Sequence, residues 1–189
     1  ARDHCGQVIL TSGQGELVEL TGLDGSPAVS APITSWTDNA RITALTAWCD
    51  SDGLHGAAVG FYHGGMARVV KAGEDAPVDV DEHRRIGTAT DIAVTTTRAF
   101  VADRAGMMDT GKGSGLSALV WLDLTDPTTP RLGGRCDLGS AVFHVATAGD
   151  RVIAMTVDQN AQWALWTLDG EAPDPCTTLL EGPALPPDA

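Results

Sequence analysis

The chain has 189 residues, 43% hydrophobic and 20% charged, which bounds it to one globular domain with a substantial core or two very small ones. Its 25 acidic against 12 basic residues give a net charge of −13, and no basic cluster extends beyond Arg84 and Arg85, so a nucleic-acid partner is not expected. No apolar run approaches the roughly 20 residues that span a bilayer as a helix, so no membrane span is expected either.

Short runs of β-branched and aromatic residues, punctuated by Gly, Pro, Asp and Asn, recur from end to end, and none keeps a helical period; the class is all-β. The first pair of strands lies in "QVILTSGQGELVEL" from Gln7, joined by a Gly-bearing turn. "RITALTAW" then leads into a second hairpin, "GAAVGFYHGGMARVVKA" from Gly56. "TDIAVTT" precedes the third, "RAFVADRAGMMDTGKGSGLSALVWLDL" from Arg98, and "VFHVATA" precedes the fourth, "RVIAMTVDQNAQWALWTLD" from Arg151. A Pro-containing turn and a further strand follow, as in "LTDPTTPRLGGRCDLG" and "LDGEAPDPCTTLLEG".

The hairpins begin about 50, 42 and 52 residues apart, close to the roughly 40–50 residues of a four-stranded propeller blade. A single small sheet cannot bury both of its faces, whereas sheets stacked around an axis bury alternating apolar residues between neighbours. The expected fold is a β-propeller of four-stranded antiparallel blades, with units at about 4–38, 40–87, 89–138 and 141–182 and a tail at 183–189. Trp121, Phe143, Trp163 and Trp166 fall in strands and are expected to pack between blades. Only six residues precede "QVIL", so the first blade is expected to lack its innermost strand; the prolines of "GPALPPDA" bar the other end from supplying it. That reading makes the chain a segment of a larger propeller, completed by further blades of the same parent chain or by a partner.

From Ala89 to Gly134 the sequence resembles the LVIVP repeat family of bacterial and archaeal β-propeller proteins. The likeness is carried by Val101-Ala102-Asp103, Leu122-Asp123-Leu124, Asp126-Pro127 and Pro130. The unit from Phe143 to Gly182 follows the pattern more loosely, with "TLDGEAPDP" at the Asp-Pro turn, and the first two units keep only the strand pattern.

Gly106 to Gly113, "GMMDTGKG", has the opening of a phosphate-binding loop. Residue 113 is Gly where Ser or Thr would hold magnesium, and "SALVWLDL" beyond it is a strand rather than the helix whose N-terminus would meet phosphate, so no nucleotide is expected. The two strands of the other hairpins start about 9–11 residues apart and those of the third about 19 apart, which makes this segment an insertion. In a propeller such a loop shares a face with the connections between blades, the face that commonly carries ligands. Arg104, Met107, Met108, Asp109 and Lys112 are therefore the binding candidates, the methionines suiting adaptable apolar contacts.

"CDSDGLHG" from Cys49 lacks the distal Glu of a calcium loop and reads as a polar turn. His55, His63 and His83 lack the spacing of a zinc site, no G-x-S-x-G is present, and neither a metal nor a cofactor is expected. Cys5, Cys49, Cys136 and Cys176 show no C-x2-C spacing; their even number fits two disulfides in an exported protein, extracellular, at the cell surface or periplasmic. Cys5 and Cys49 occupy equivalent places in adjacent units and are the favoured pair; Cys136 and Cys176, in or beside the outermost strands of the last two units, would make the second, a less obvious pairing because neighbouring outer strands splay apart. The sequence thus points to a non-catalytic binding or scaffold module recognising a protein or glycan through the face bearing the 104–115 loop. The alternative is a hydrolase or lyase with acidic residues, Asp91 and Asp158 among them, at the central channel.

Overall fold

In the computed structural model the described residues are 2–4, 7–11, 16–21, 26, 28–29, 34–35, 42–50, 53–61, 66–70, 78–79, 88–104, 118–126 and 130–184. They form four antiparallel sheets taken in chain order. Sheet one runs β1 (Arg2–His4), β2 (Gln7–Thr11), β3 (Glu16–Thr21), β4 (Ala28–Val29), with β5 (Thr34–Ser35) also paired to β3. Sheet two runs β6 (Ile42–Asp50), β7 (Gly53–Phe61), β8 (Met66–Val70), β9 (Val78–Asp79). Sheet three runs β10 (Ala89–Val94), β11 (Arg98–Asp103), β12 (Ala118–Asp123), β13 (Arg131–Asp137). Sheet four runs β14 (Ala141–Ala148), β15 (Arg151–Val157), β16 (Trp163–Asp169), β17 (Leu180–Ala184).

The first strands of successive sheets lie side by side, β6 against β1 and β10, and β10 against β14. This is the all-β propeller arrangement, each sheet an antiparallel blade of four successive strands with the first innermost, and sheet one with β5 as a fifth. One expectation fails: the first blade does have an innermost strand, because Arg2–His4 pairs with β2 in the register Arg2↔Ile9 to His4↔Gln7. "RDH" carries no apolar alternation, so nothing in its side chains announces a strand; the backbone ladder alone makes it one.

The blades hold together by burying alternate residues. Ala93, Phe100, Ala102 and Leu119 of sheet three meet Val142, Val145, Val152, Ala154 and Leu168 of sheet four, with Trp121 and Trp166 at the margin. The opposite face of sheet three, Ile92, Ala99, Val101, Ala118, Val120 and Leu122, packs in a second cluster with Ala44 of β6. Trp166 also donates its indole N–H to Thr156 Oγ1 at 3.0 Å, which satisfies its polar edge inside the contact. Trp121 lies flat over Gly133 and Gly134, where any Cβ would collide with the ring, and the ladder shifts register between Trp121 and Leu122 to admit it.

Cys136 and Cys176 are joined by a disulfide with a Cα–Cα distance of 5.2 Å, the second of the two expected pairings. Cys136 lies in β13 and Cys176 beside the outer strand β17, in the short 3-10 turn Pro175–Thr178 ahead of it. Asp174 caps that turn by accepting from the Cys176 N–H at 3.1 Å, and the turn carries the cysteine towards sheet three instead of away from it. Cys5 and the side chain of Cys49 lie outside the described residues.

The disulfide closes a separation of 40 residues across a blade junction. Replacing both cysteines by serine is expected to lower unfolding stability by about 2–4 kcal/mol, read as a drop in the urea midpoint; an unchanged midpoint would show that apolar packing alone holds the junction.

Candidate functional site

One rim of the propeller carries the starts of the first and third strands and the ends of the second, and residues 104–117 arise there from sheet three. The corresponding connection in sheet four spans only 158–162, so the insertion read from the sequence stands between β11 and β12. Met107, Met108, Asp109 and Lys112 lie outside the described residues, whereas Arg104 and the strands that flank the insertion, β11 and β12, are described. At its start Asp103 is fully buried, and its Oδ2 is 3.1 Å from Nη1 of Arg135 on β13. That pairing ties the end of β11 to the outer strand beneath the loop.

Arg104 leaves the sheet beside this pair, its N–H donating to the Thr88 carbonyl at 2.9 Å. Its guanidinium lies over the Phe143 ring of β14, 4.6 Å from the centroid, and Phe143 in turn meets Trp163 of β16 at 6.0 Å with the planes tilted by 59°. All three side chains are half-buried. A cation and two aromatic rings thus form a continuous stack from the base of the long loop across to sheet four, a surface suited to an apolar side chain or a sugar face with a donor beside it. Trp121 and Trp166 pack between blades as expected; Phe143 meets the neighbouring blade through Arg104, and Trp163 meets Phe143 at the rim.

The two acids singled out for catalysis are engaged in structure. Asp91 follows a bulge in β10, where its Oδ1 accepts from the Ile92 N–H at 2.9 Å and its Oδ2 from the Val145 N–H of β14 at 3.2 Å. The exposed His144 ring is 3.6 Å from the same Oδ2. Thr90, the bulged residue, donates to the Phe143 carbonyl at 2.9 Å, so Thr90 and Asp91 together stitch one inner strand to the next. Asp158 organises the β15–β16 turn. Its Oδ1 accepts from the backbone of Gln162 and Asn160, both at 2.8 Å, and the Gln162 bond above all holds its carboxyl below the usual range.

The opposite rim is closed by a clamp that the sequence did not reveal. Arg98 of β11 donates to the Gly170 carbonyl at 2.6 Å and to that of Ala172, while its guanidinium covers Trp121 at 4.6 Å. Thr97 donates to Glu171 through both N–H and Oγ1. Burial pushes the Glu171 carboxyl up, but bonds from Thr95 and Thr97 and the Arg98 charge outweigh it and hold the group below its ordinary value. The one available signal was an Arg at the same place in two hairpins, "RAFVAD" and "RVIAMTV", and spacing could not say what it would reach.

Among the described residues no group of three or more His, Cys, Asp or Glu side chains could hold a metal ion. No family model matches the chain, and no curated protein matches it. Among solved structures it is similar to a variant of the apocarotenoid oxygenase of Synechocystis, at 12% identity and TM-score 0.45, over 94% of this chain and 46% of that one. The cobalt-substituted form of that oxygenase gives 13% and 0.45 over the same shares. A functionally unknown protein from Desulfotomaculum acetoxidans gives 14% and 0.46, over 94% of this chain and 66% of that one. The chain therefore spans about half the length of the oxygenase, and likeness at this level carries no information on activity.

A carboxylate held below its ordinary pKa in the fold contributes stability above that value and loses it as pH falls through the folded one. The Glu171 clamp should therefore weaken as the pH falls below the ordinary glutamate value and on through the lower folded one. The urea midpoint of the unaltered chain is expected to fall across that window more steeply than that of Glu171→Gln, which starts lower at pH 7; parallel profiles would remove Glu171 from the account.

Proposed function

We propose that this chain is a non-catalytic propeller module that binds a protein or glycan through the rim bearing the 104–115 loop. The reading is carried by one contrast on that rim. The carboxylates a hydrolase or lyase would use, Asp91 and Asp158, accept hydrogen bonds from backbone N–H groups, whereas Arg104, Phe143 and Trp163 form a half-buried stack beside the loop. Aromatic rings and arginine dominate protein hot spots, and an aromatic face also suits the C–H face of a sugar.

Export accompanies this reading. The Cys136–Cys176 bond belongs to oxidising compartments, and no helix among the described residues is long and apolar enough to cross a membrane. Kinship with LVIVP-repeat propellers belongs to the same proposal. Asp123 of the "LDLTDP" segment accepts from the Thr125 N–H at 2.9 Å and so shapes the turn ahead of Asp126-Pro127.

The test compares the unaltered chain with two variants, one with the insertion replaced by a short Gly-Ser turn and one carrying Arg104→Ala, on a glycan array and against candidate surface proteins. Both variants should keep the urea transition and lose at least about tenfold in affinity, or 1.4 kcal/mol. Binding indifferent to both changes would reject the rim. Turnover of a hydrolase or lyase substrate that Asp91→Asn abolishes would establish the enzyme reading instead.

A further inference from the structure

The turn between β15 and β16 borders the aromatic stack on the same rim, and every side chain in it but one is polar. Residues 158–162 read Asp-Gln-Asn-Ala-Gln, and Trp163 follows directly as the first residue of β16. The Asp158 N–H donates to the Gln162 carbonyl at 3.0 Å and the Ala161 N–H to the Asp158 carbonyl at 3.1 Å, which closes the hairpin. Ala161 has φ 60°, the left-handed conformation that glycine usually fills at this place. A residue with a Cβ persists there only when the bonds around it fix the backbone, so the turn presents its side chains from a set frame.

The two oxygens of Asp158 divide their roles. Oδ1 accepts from the backbone N–H groups of Asn160 and Gln162, whereas Oδ2 is met by the side-chain amide of Asn160 at 3.3 Å. The Gln162 bond above all keeps this carboxyl below its usual range, so at neutral pH Oδ2 is an ionised acceptor with capacity for a further donor. Donation through Nδ2 leaves the carbonyl oxygen of the Asn160 amide as a second acceptor. Gln162 adds a third polar group, an exposed amide that bonds to no described residue.

Trp163 supplies the apolar counterpart. It lies opposite Val157, on the half-open face of sheet four that turns away from sheet three. Its ring meets Phe143, over which Arg104 lies, and the exposed His144 follows Phe143 on β14. Around the rings the described groups are therefore amides, a carboxylate, an imidazole and a guanidinium. The two large hydrophobic side chains that stand exposed among the described residues are elsewhere: Leu180 lies opposite Thr167 and Val29 opposite Leu20, both near the far ends of strands that start at this rim. A protein anchor is surrounded by contacts that exclude water, whereas a sugar ring offers a C–H face bordered by hydroxyls and needs an aromatic face bordered by hydrogen-bonding groups. The charges described here, Arg104 and Arg135 against Asp91, Asp103 and Asp158, give no positive excess that would select an anionic ligand.

Building on the rim reading above, we infer that the ligand is a neutral saccharide. The C–H face of a sugar ring lies on Trp163, and its neighbouring hydroxyls bond to Asp158 Oδ2 and to the amides of Asn160 and Gln162.

The test presents the unaltered chain with neutral hexose and pentose oligosaccharides beside uronate-bearing and sulfated ones. It should bind a neutral member with an affinity unchanged between about 0.05 and 0.5 M salt. Asn160→Ala and Gln162→Ala should each weaken that binding about five- to tenfold and leave the urea transition in place, since both side chains are exposed in a turn held by backbone bonds. Trp163→Ala should abolish it and Trp163→Phe retain part. Binding confined to uronate-bearing or sulfated sugars, neutral binding untouched by Asn160→Ala and Gln162→Ala, or no saccharide bound at all would each overturn the inference. The rim reading fails separately, through binding indifferent to the trimmed insertion and to Arg104→Ala; a protein partner lost with those changes and displaced by no sugar would keep the rim and overturn the saccharide.

Discussion

A small β-sheet has two faces, and everything in this molecule follows from the need to cover both. The contact of Phe100, Ala102 and Leu119 with Val145, Val152, Ala154 and Leu168 meets that need at the junction of sheets three and four. Three of those residues alternate with Ala99 and Val101, or with Val120, which face the other way into the next cluster. Sheet three is consequently buried on both sides and behaves as a core element, although each strand is only six or seven residues long. Removing a large side chain from such a row leaves a void that two rigid sheets cannot both follow.

Apolar contact sets the stacking but not the angle or registration of one blade on the next, and polar devices at the margins supply those. On the inner edge the bulges of β10 and β14 meet through Thr90 and Asp91. On the outer edge the disulfide joins β13 to the turn ahead of β17. On the far rim Arg98, Thr97 and Glu171 clasp the β16 turn, and Arg98 simultaneously covers Trp121. These groups are charged or directional, so each tolerates little displacement, and together they pin a contact that apolar surfaces alone would allow to slide.

The blade order was legible because it rests on alternation and turn residues, both local properties of the chain. The insertion at 104–115 was legible for the same reason, by comparison of one hairpin with its siblings. Arg2–His4 was not, since a polar strand is made by its backbone partners. The Cys136–Cys176 bond was legible only as the second, less obvious pairing of four cysteines, because its geometry depends on a 3-10 turn capped by Asp174 that spacing does not encode. Asp91 and Asp158 looked like channel acids from their positions near strand ends; only the structure shows the backbone N–H groups they serve. The Arg104–Phe143–Trp163 stack joins two strands of sheet four to the residue that follows β11 in sheet three, a relation that spacing does not encode.

The rim and the blade faces meet at Trp163. Its partner across the ladder is Val157, which places it at the rim end of the open face of sheet four, while its ring also meets Phe143 and through it Arg104. Phe143 is itself the bulged residue of β14, and Thr90 of the neighbouring inner strand holds its carbonyl, so the bulge that stitches two blades together also fixes the aromatic corner. That corner belongs at once to the rim and to a blade face, whereas the clamp at Arg98 and Glu171, on the opposite rim, stands apart from it.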